Sequence, residues 1–160
     1  MKTFKITQKT FELNDDYIIS QSKNAEIAYV IKGKFAFPPE WEMREGLGQG
    51  LAFKKVTSNL LKTRFKVFDN EKKAVALIEF PLMSLIKHFT LYMGNKKYNA
   101  QGGFSAWDFQ CRDQEGREVF TVSKENTLSD RFTVDIQEQM PEDIALITAV
   151  AIDQKYFSQE

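Results

Sequence analysis

Short segments of apolar residues alternate with polar residues along most of this chain, and turn residues separate the segments. Such alternation over four to eight residues is typical of β-strands that are buried on one face. The strands are predicted at residues 2–7, 10–13, 17–20, 26–32, 34–37, 51–57, 63–68, 74–80, 88–93, 97–100, 105–112, 117–124 and 131–136. So many short strands predict a mainly β fold, and closing the sheet into a barrel would remove its exposed edges.

One pattern of two strands and a polar turn recurs along the chain. Residues 65–78 align with residues 109–122, and the strands that follow align as well, at 89–91 and 132–134. A fainter copy lies upstream at residues 17–30. In the clearest copy Asp113 and Gly116 favour a turn, because Asp bonds to its own backbone and Gly accepts a positive φ. The repeat predicts a series of β-hairpins laid side by side.

The last segment of regular pattern is apolar on every side. From residue 144 to residue 152 only Thr148 is polar, and Pro141, Glu142 and Asp143 precede this run. Proline suits the first helical position, and acidic residues suit a helix N-terminus. The pattern predicts a helix at about 142–156, too short for the roughly 20 apolar residues of a membrane span. A helix without a polar face must be enclosed by protein, so we expect the sheet to close around it.

Two segments interrupt the strand pattern. Residues 38–50, rich in proline and glycine, are interpreted as an ordered excursion or a loop, and residues 81–87 as a second one. Neither segment resembles an interdomain linker. The 160 residues are therefore predicted to form a single domain, 1–160.

Composition narrows the class of protein. The chain has 22 basic and 22 acidic residues, so it has no general attraction for nucleic acid, and nucleic-acid binding is not expected. Its one cysteine excludes an internal disulfide. The first residues lack the apolar region of a secretory signal. We expect a cytoplasmic protein without a transmembrane segment, peripheral to a membrane if it meets one.

No pattern of catalytic residues stands out. The single histidine, His88, opens a predicted strand, and Cys111 lies inside one, where a small apolar role is commoner than a nucleophilic one. Asp69 and Asp113 occupy matching turns, which favours a structural role over paired catalytic carboxylates. Zinc and calcium motifs are absent from the sequence. We predict no enzymatic activity, no cofactor and no metal site.

The position of the helix separates two functional hypotheses. If the helix lay outside, the barrel would be hollow and could carry an apolar molecule, with Trp41 and Trp107 lining its cavity. If the helix lies inside, the function must be on the surface. An enzyme with an unrecognised site remains a further alternative. The missing polar face of the helix favours the filled barrel.

Charge is unevenly distributed along the chain. Residues 51–100 contain ten Lys or Arg against three Asp or Glu, and residues 101–160 contain five against twelve. One interpretation is two solvated neighbouring walls; the other is a basic surface for anionic phospholipid headgroups or a protein partner. The candidate anion-binding residues are Lys54, Lys55, Lys62, Arg64, Lys66, Lys96 and Lys97.

These segments are similar to those of a known family. The hairpins at 65–75 and 109–119 share the pattern Phe-x-[Val/Cys]-x-Asp-x-x-x-x-x-Val, and segments 104–109, 129–136 and 143–153 also carry the similarity. The chain resembles the LURP-one-related proteins, which are grouped with tubby C-terminal domains and phospholipid scramblases. The resemblance implies a twelve-stranded barrel around a C-terminal hydrophobic helix. It also implies, more loosely, the headgroup binding through basic residues that tubby domains show.

Overall fold

The computed structural model describes residues 1–11, 14–34, 36–48, 50–103, 108–124 and 130–157. Within them twelve strands form one closed barrel, in which each strand pairs with its sequence neighbours and the first pairs with the last. The strands are β1 Lys2–Phe11, β2 Asn14–Gln21, β3 Ile27–Lys34, β4 Glu40–Glu45, β5 Lys54–Ser58, β6 Arg64–Asp69, β7 Ala74–Glu79, β8 His88–Met93, β9 Lys96–Gly102, β10 Asp108–Arg112, β11 Glu118–Lys124 and β12 Arg131–Ile136. The predicted twelve-stranded antiparallel barrel is confirmed.

Alternation along each strand divides its side chains between the barrel interior and the outer surface. In β6, Phe65 and Val67 are buried while Arg64 and Lys66 are exposed. The barrel closes where Lys2 of β1 lies opposite Ile136 of β12. Closure leaves no unpaired strand edge in the described barrel, so its backbone groups are satisfied within the sheet.

The C-terminal helix lies inside this wall. Helix α1 spans Glu142–Ile152, and every side chain from Ile144 to Ile152 is buried. These side chains share one apolar core with the inward residues of the strands. The polar Thr148 is accommodated because its hydroxyl donates to the Ile144 carbonyl at 2.7 Å. The filled barrel that the sequence predicted is therefore the observed one.

The ends of the helix differ slightly from the prediction. Pro141 is the N-cap rather than the first helical residue, and Glu142 begins the helix. At the other end α1 stops at Ile152, and a π-helical turn, Asp153–Phe157, continues the chain. This wider turn redirects the side chains of Asp153 and Gln154, which become part of the candidate site described below.

The repeated hairpins share a structural irregularity. A β-bulge interrupts the register at Ile19 in the β2–β3 pair, at Val67 in the β6–β7 pair and at Cys111 in the β10–β11 pair. These three positions correspond in the sequence repeat. Because a bulge bends and twists a strand, its recurrence shows that the three hairpins curve the wall in the same way.

Several predicted strand boundaries were wrong. The segment 38–50 contains β4, in which Trp41 and Met43 are buried. The predicted strand at 34–37 does not form in its described residues, because β3 ends at Lys34 and residues 37 and 38 form a bend; residue 35 lies outside the described residues. The predicted strands at 2–7 and 10–13 are joined in β1 as far as Phe11. Residues 12, 13, 104–107 and 125–129, including part of the predicted strand at 105–112, lie outside the described residues.

Candidate functional site

The barrel has two different ends, because consecutive connections in an antiparallel meander alternate between them. We call the end where α1 begins the near end; its described connections are 22–26, 46–48, 50–53, 70–73, 94–95 and 113–117. We call the other the far end; its described connections are 36–39, 59–63 and 80–87, together with the turn Asp153–Phe157. Contacts of the helix fix this assignment. Lys54 beside the near end pairs with Asp143, and Lys62 at the far end bonds to Gln154.

The structure does not bring the seven predicted cations together. Lys62 and Arg64 lie at the far end, whereas Lys54, Lys96 and Lys97 lie at the near end, and Lys55 and Lys66 lie on the outer wall between them.

Several of these cations already have partners. Lys54 Nζ lies 3.0 Å from an Asp143 carboxylate oxygen, and Lys55 Nζ lies 3.5 Å from one of Glu40. Lys97 Nζ lies 5.9 Å from the centre of the Tyr92 ring, a cation–π distance. A single basic patch made of all seven residues is therefore not what the fold assembles.

The residues considered for catalysis have structural environments. Cys111 is fully buried, and burial raises the pKa of its thiol to about 12, so the nucleophilic thiolate is not formed near neutral pH. His88 is exposed at the start of β8, and its backbone carbonyl accepts a hydrogen bond from the Tyr156 hydroxyl at 3.2 Å. Neither residue has the arrangement of a nucleophile with a neighbouring base.

The matching aspartates form the same turn in two hairpins. Asp69 Oδ1 accepts the backbone N–H groups of Glu71 and Lys73 at 2.9 and 3.0 Å. Asp113 Oδ1 accepts those of Glu115 and Arg117, both at 2.9 Å. The hydrogen bond from the Arg117 backbone, supported by those from the Glu115 backbone and the Arg117 side chain, lowers the pKa of Asp113. These carboxylates stabilise turns, as the repeat predicted.

The described interior offers little space for a ligand. Between α1 and the wall, a void of about 10 Å³ is lined by residues that include Trp41, Phe65 and Ile147. That volume is about that of one water molecule. Trp107, the other predicted cavity residue, lies outside the described residues. The hollow-carrier hypothesis gains no support from this part of the barrel.

Across the described residues, no three or more His, Cys, Asp or Glu side chains are grouped as a metal ion would need. None of the helices found in the same residues has the length and hydropathy required to span a bilayer.

Exposed apolar side chains are concentrated at the far end. Seven large ones from its three described connections are each at least 54% exposed. We call this set the apolar rim; it consists of Phe37, Leu60, Leu61, Leu82, Met83, Leu85 and Ile86. A single exposed leucine is ordinary, but several large apolar side chains on neighbouring loops indicate an interaction surface.

The three connections that carry the apolar rim are joined by backbone hydrogen bonds. Ser58 N–H donates to the Pro39 carbonyl at 3.0 Å, and Phe80 N–H donates to the Thr63 carbonyl at 2.8 Å. The turn at residues 59–63 is further fixed by Asn59, whose side-chain oxygen accepts the Thr63 N–H at 2.8 Å. The apolar rim is therefore presented by one continuous edge of the barrel.

A buried polar network lies beneath the apolar rim. The Tyr17 hydroxyl donates to Asp153 Oδ2 at 2.6 Å and accepts from Gln154 Nε2 at 2.7 Å. Gln154 also donates to Asp15 at 2.9 Å and accepts from Lys62 Nζ at 2.8 Å. Burial, followed by the charge of Asp153, raises the pKa of Tyr17 well above its usual value. Burial lowers the pKa of Lys62.

An open pocket of about 240 Å³ adjoins this network. Its lining includes Lys62, Asp15 and Gln154 on one side and Lys34 and Glu40 on the other. The pocket also reaches Phe37 of the apolar rim and Trp41 of β4. Sequence reasoning identified Lys62 but missed the apolar rim. In a meander, successive connections lie at opposite ends of the barrel. The loops that contain residues 60–61 and 82–86 are two connections apart, so the topology alone could have placed them at the same end.

A twelve-stranded antiparallel barrel closed around its own C-terminal helix is the class of protein that these observations define. The sequence matches the family model described as LURP-one-related over residues 2–153, and the chain belongs to that family. No curated protein matches the sequence.

Proposed function

We propose that this protein is a non-catalytic binding module that attaches peripherally to an anionic membrane surface through its far end. The observation that supports the proposal most is the apolar rim, whose seven exposed side chains come from adjoining loops at one end of the barrel. Whatever binds to the apolar rim must cover apolar side chains that lie on separate loops. The interfacial region of a bilayer accepts such side chains individually, to a depth of about 5–10 Å.

Charge around the apolar rim supports an anionic membrane as the occupant. Segments 34–39, 59–64 and 80–87 contain four basic residues, Lys34, Lys62, Arg64 and Lys87, and no acidic residue. Glu40 and Glu79 adjoin these segments, and Lys34 pairs with Glu42, so the attraction rests mainly on Lys62, Arg64 and Lys87. Each basic residue near an anionic surface contributes about 1 kcal/mol. Full burial of a leucine-sized side chain contributes about 1.5–3 kcal/mol. The two contributions together give reversible attachment, which neither a few cations nor one apolar side chain would provide.

The surroundings of the candidate catalytic residues support a non-catalytic role. The Cys111 thiol is buried and protonated, and the aspartates of the repeated hairpins hold turns. The apolar rim and the cations beside it provide binding chemistry rather than a nucleophile and a base.

Flotation with liposomes tests the proposal, and the two barrel ends supply a matched pair of variants. Leu85→Asp changes a fully exposed side chain of the apolar rim, and Leu51→Asp changes one that is 93% exposed at the near end. We expect Leu85→Asp to weaken binding to anionic vesicles by about 30-fold, because about 2 kcal/mol of apolar burial is lost. Leu51→Asp should bind like the unaltered protein.

Both substitutions are on exposed loops, so circular dichroism and thermal unfolding should confirm that both variants fold. Equal losses in the two variants would contradict attachment through the far end. Failure to bind either neutral or anionic vesicles, at low salt and at physiological salt, would overturn the membrane proposal and favour a protein as the occupant of the apolar rim. Equal binding to the two kinds of vesicle would overturn the role of the cations.

A further inference from the structure

Lys62 is an unusual cation within the far end. Its side chain is half-buried, and its Nζ donates to Gln154, an uncharged partner, at 2.8 Å. Among the described residues no carboxylate oxygen forms a salt bridge with it, in contrast to Lys34, Lys54 and Lys55. Burial removes part of the hydration of this ammonium group, and the charges of Asp15 and Asp153 offset only part of that cost, so the pKa of Lys62 is lowered. An anionic ligand would give Lys62 a directly bonded negative partner.

The backbone at Lys62 is strained as well. Its φ is +54°, in the left-handed region where a side chain other than glycine is strained. Such strain persists where surrounding structure enforces it, and it is concentrated at binding sites. Here the turn bonds of Asn59 hold the conformation, with Lys62 N–H donating to the Asn59 carbonyl at 3.1 Å. The turn directs Lys62 inward to Gln154 instead of outward to solvent.

The lining of the adjoining pocket combines both signs of charge. Lys62 and Lys34 are basic, Asp15 and Glu40 are acidic, and the Gln154 amide joins Lys62 to Asp15 through its two ends. A ligand with several negative charges and no cationic group would be repelled by the two carboxylates. A ligand that carries an ammonium group beside its anionic group matches the arrangement.

The size of the pocket limits the ligand further. Its volume of about 240 Å³ is below the range of roughly 300–1,000 Å³ typical of pockets for drug-sized molecules. The pocket is open and lies beside Phe37 of the apolar rim, so a group entering it from a membrane would keep its acyl chains next to apolar side chains. A small headgroup on a phosphate diester fits these limits.

From these contacts we infer that the far-end pocket binds a phosphate diester bearing a primary ammonium group, as in the headgroup of an aminophospholipid. Lys62 pairs with the phosphate, and Asp15 receives the ammonium group. This inference rests on the proposed function for the source of the ligand, a membrane. The same chemistry in solution would be a small phosphate ester, so the experiment must separate the two sources.

The first arm compares vesicles of equal charge. Phosphatidylserine and phosphatidylglycerol carry the same net charge, but only the former has an ammonium group. At equal mole fractions in phosphatidylcholine, we expect about tenfold tighter binding to phosphatidylserine. Lys62→Asn should bring the ratio of the two affinities close to one, and asparagine tolerates a positive φ. Lys96→Asn, the same change at the near end, should leave the ratio unaltered, and Asp15→Asn should lower it.

The second arm uses soluble probes followed by NMR titration of the full chain. Glycerophosphoethanolamine should bind saturably, while glycerophosphocholine, whose ammonium cannot donate hydrogen bonds, and inorganic phosphate should bind at least tenfold more weakly. If the soluble probes bind but the vesicles do not, the pocket and its ligand class would be retained. The source of the ligand would then be a free phosphate ester rather than a membrane.

The outcomes separate the two proposals. Equal binding to both anionic lipids, with Leu85→Asp still defective, would overturn this inference and leave membrane attachment intact. Failure of all vesicles and of all soluble probes would overturn both. An unchanged lipid ratio in Lys62→Asn would overturn the assignment of the phosphate to Lys62.

Discussion

The two ends of the barrel satisfy the charges around the central helix in different ways. At the near end the acidic start of α1 is matched by exposed or half-buried partners: Lys2 pairs with Glu142 at 3.1 Å, Lys54 pairs with Asp143, and Tyr29 donates to Glu142. At the far end the partners of Asp153 are buried, and Lys62 has no negative partner within salt-bridge distance in the described structure. The acidic start of α1 is therefore neutralised by direct ion pairs, whereas Lys62 at the far end bonds to the uncharged amide of Gln154.

The distribution of exposed apolar side chains follows the same division. The apolar rim has seven members at the far end, while the near end exposes Met1, Leu47 and Leu51. A surface that served only to seal the barrel would not differ so strongly between its two ends. Under the proposed function, the binding surface lies at one end of the helix and the ion-paired helix start lies at the other.

The largest loss of stability is expected on removing the hydroxyl of Tyr17. Tyr17 at the far end and Tyr29 at the near end each donate a hydrogen bond to a carboxylate of the C-terminal segment. Tyr17→Phe removes a fully buried hydroxyl and leaves Asp153, 1% exposed, without that donor. We expect the free energy of unfolding to fall by about 2–3 kcal/mol. Tyr29→Phe should cost about 1 kcal/mol, because water can reach Glu142. Urea unfolding at neutral pH measures both, and equal losses would contradict the difference between the ends.

The pH dependence of the free energy of unfolding gives a second test of the buried Tyr17 hydroxyl. Burial and the nearby Asp153 raise the pKa of Tyr17, so above about pH 10 the unfolded chain loses this proton while the folded protein keeps it. The unfolded state then binds fewer protons, and stability falls by up to ~1.4 kcal/mol per pH unit for this group. The stability that Tyr17 contributes through its raised pKa is fully present below pH 10, and it is lost as the pH rises toward the pKa of Tyr17 in the folded protein.

Tyr17→Phe lacks this titration, so its deficit relative to the unaltered protein should shrink as pH rises above about 10. Urea unfolding at successive pH values would show this. Other groups that ionise at alkaline pH are common to both proteins and cancel in the difference. A deficit that stays constant across alkaline pH would show that Tyr17 keeps no raised pKa.

Much of the fold could be predicted because its signals are local. Residues 144–152 have no polar face, which requires enclosure, and the Asp113–Gly116 turn chemistry marks its hairpin. Strand β4 was missed although Trp41 and Met43 alternate with charged residues. Prolines before it and glycines after it suggested a loop. Its charges are paired within the sheet, because Glu42 bonds to Arg44 in the same strand and to Lys34 in β3.

Less of the candidate site could be predicted, because its residues are distant in the sequence and come together only in the folded chain. Lys62 was identified as basic, but its half-burial depends on Gln154, which is 92 residues later in the sequence. The π-helical turn that places Gln154 has no local signal in the sequence. The apolar rim could have been inferred from the topology alone, had leucines 60, 61, 82 and 85 been assigned to one end.

The smallest change in stability is expected from replacing lysines that have a positive φ, one of which lies at each end of the barrel. Lys72 in the near-end turn has φ +65°, and its counterpart in the repeated hairpin is Gly116 at +81°. Lys72→Gly should raise the free energy of unfolding by about 0.5–1 kcal/mol, because relief of strain exceeds the added entropy of the unfolded chain. Lys73→Gly, its neighbour outside the positive-φ set, should instead lower stability by about 0.5–1 kcal/mol.

At the far end, Lys62→Gly relieves the same kind of strain, but it also removes the donor to Gln154. We expect a smaller gain in stability than for Lys72→Gly, together with loss of the preference for aminophospholipid vesicles. Lys72→Gly should keep that preference. Urea unfolding and liposome flotation of the two variants measure these effects. A loss of lipid preference in both variants, or in neither, would show that strain at Lys62 serves only the turn, as it does at Lys72.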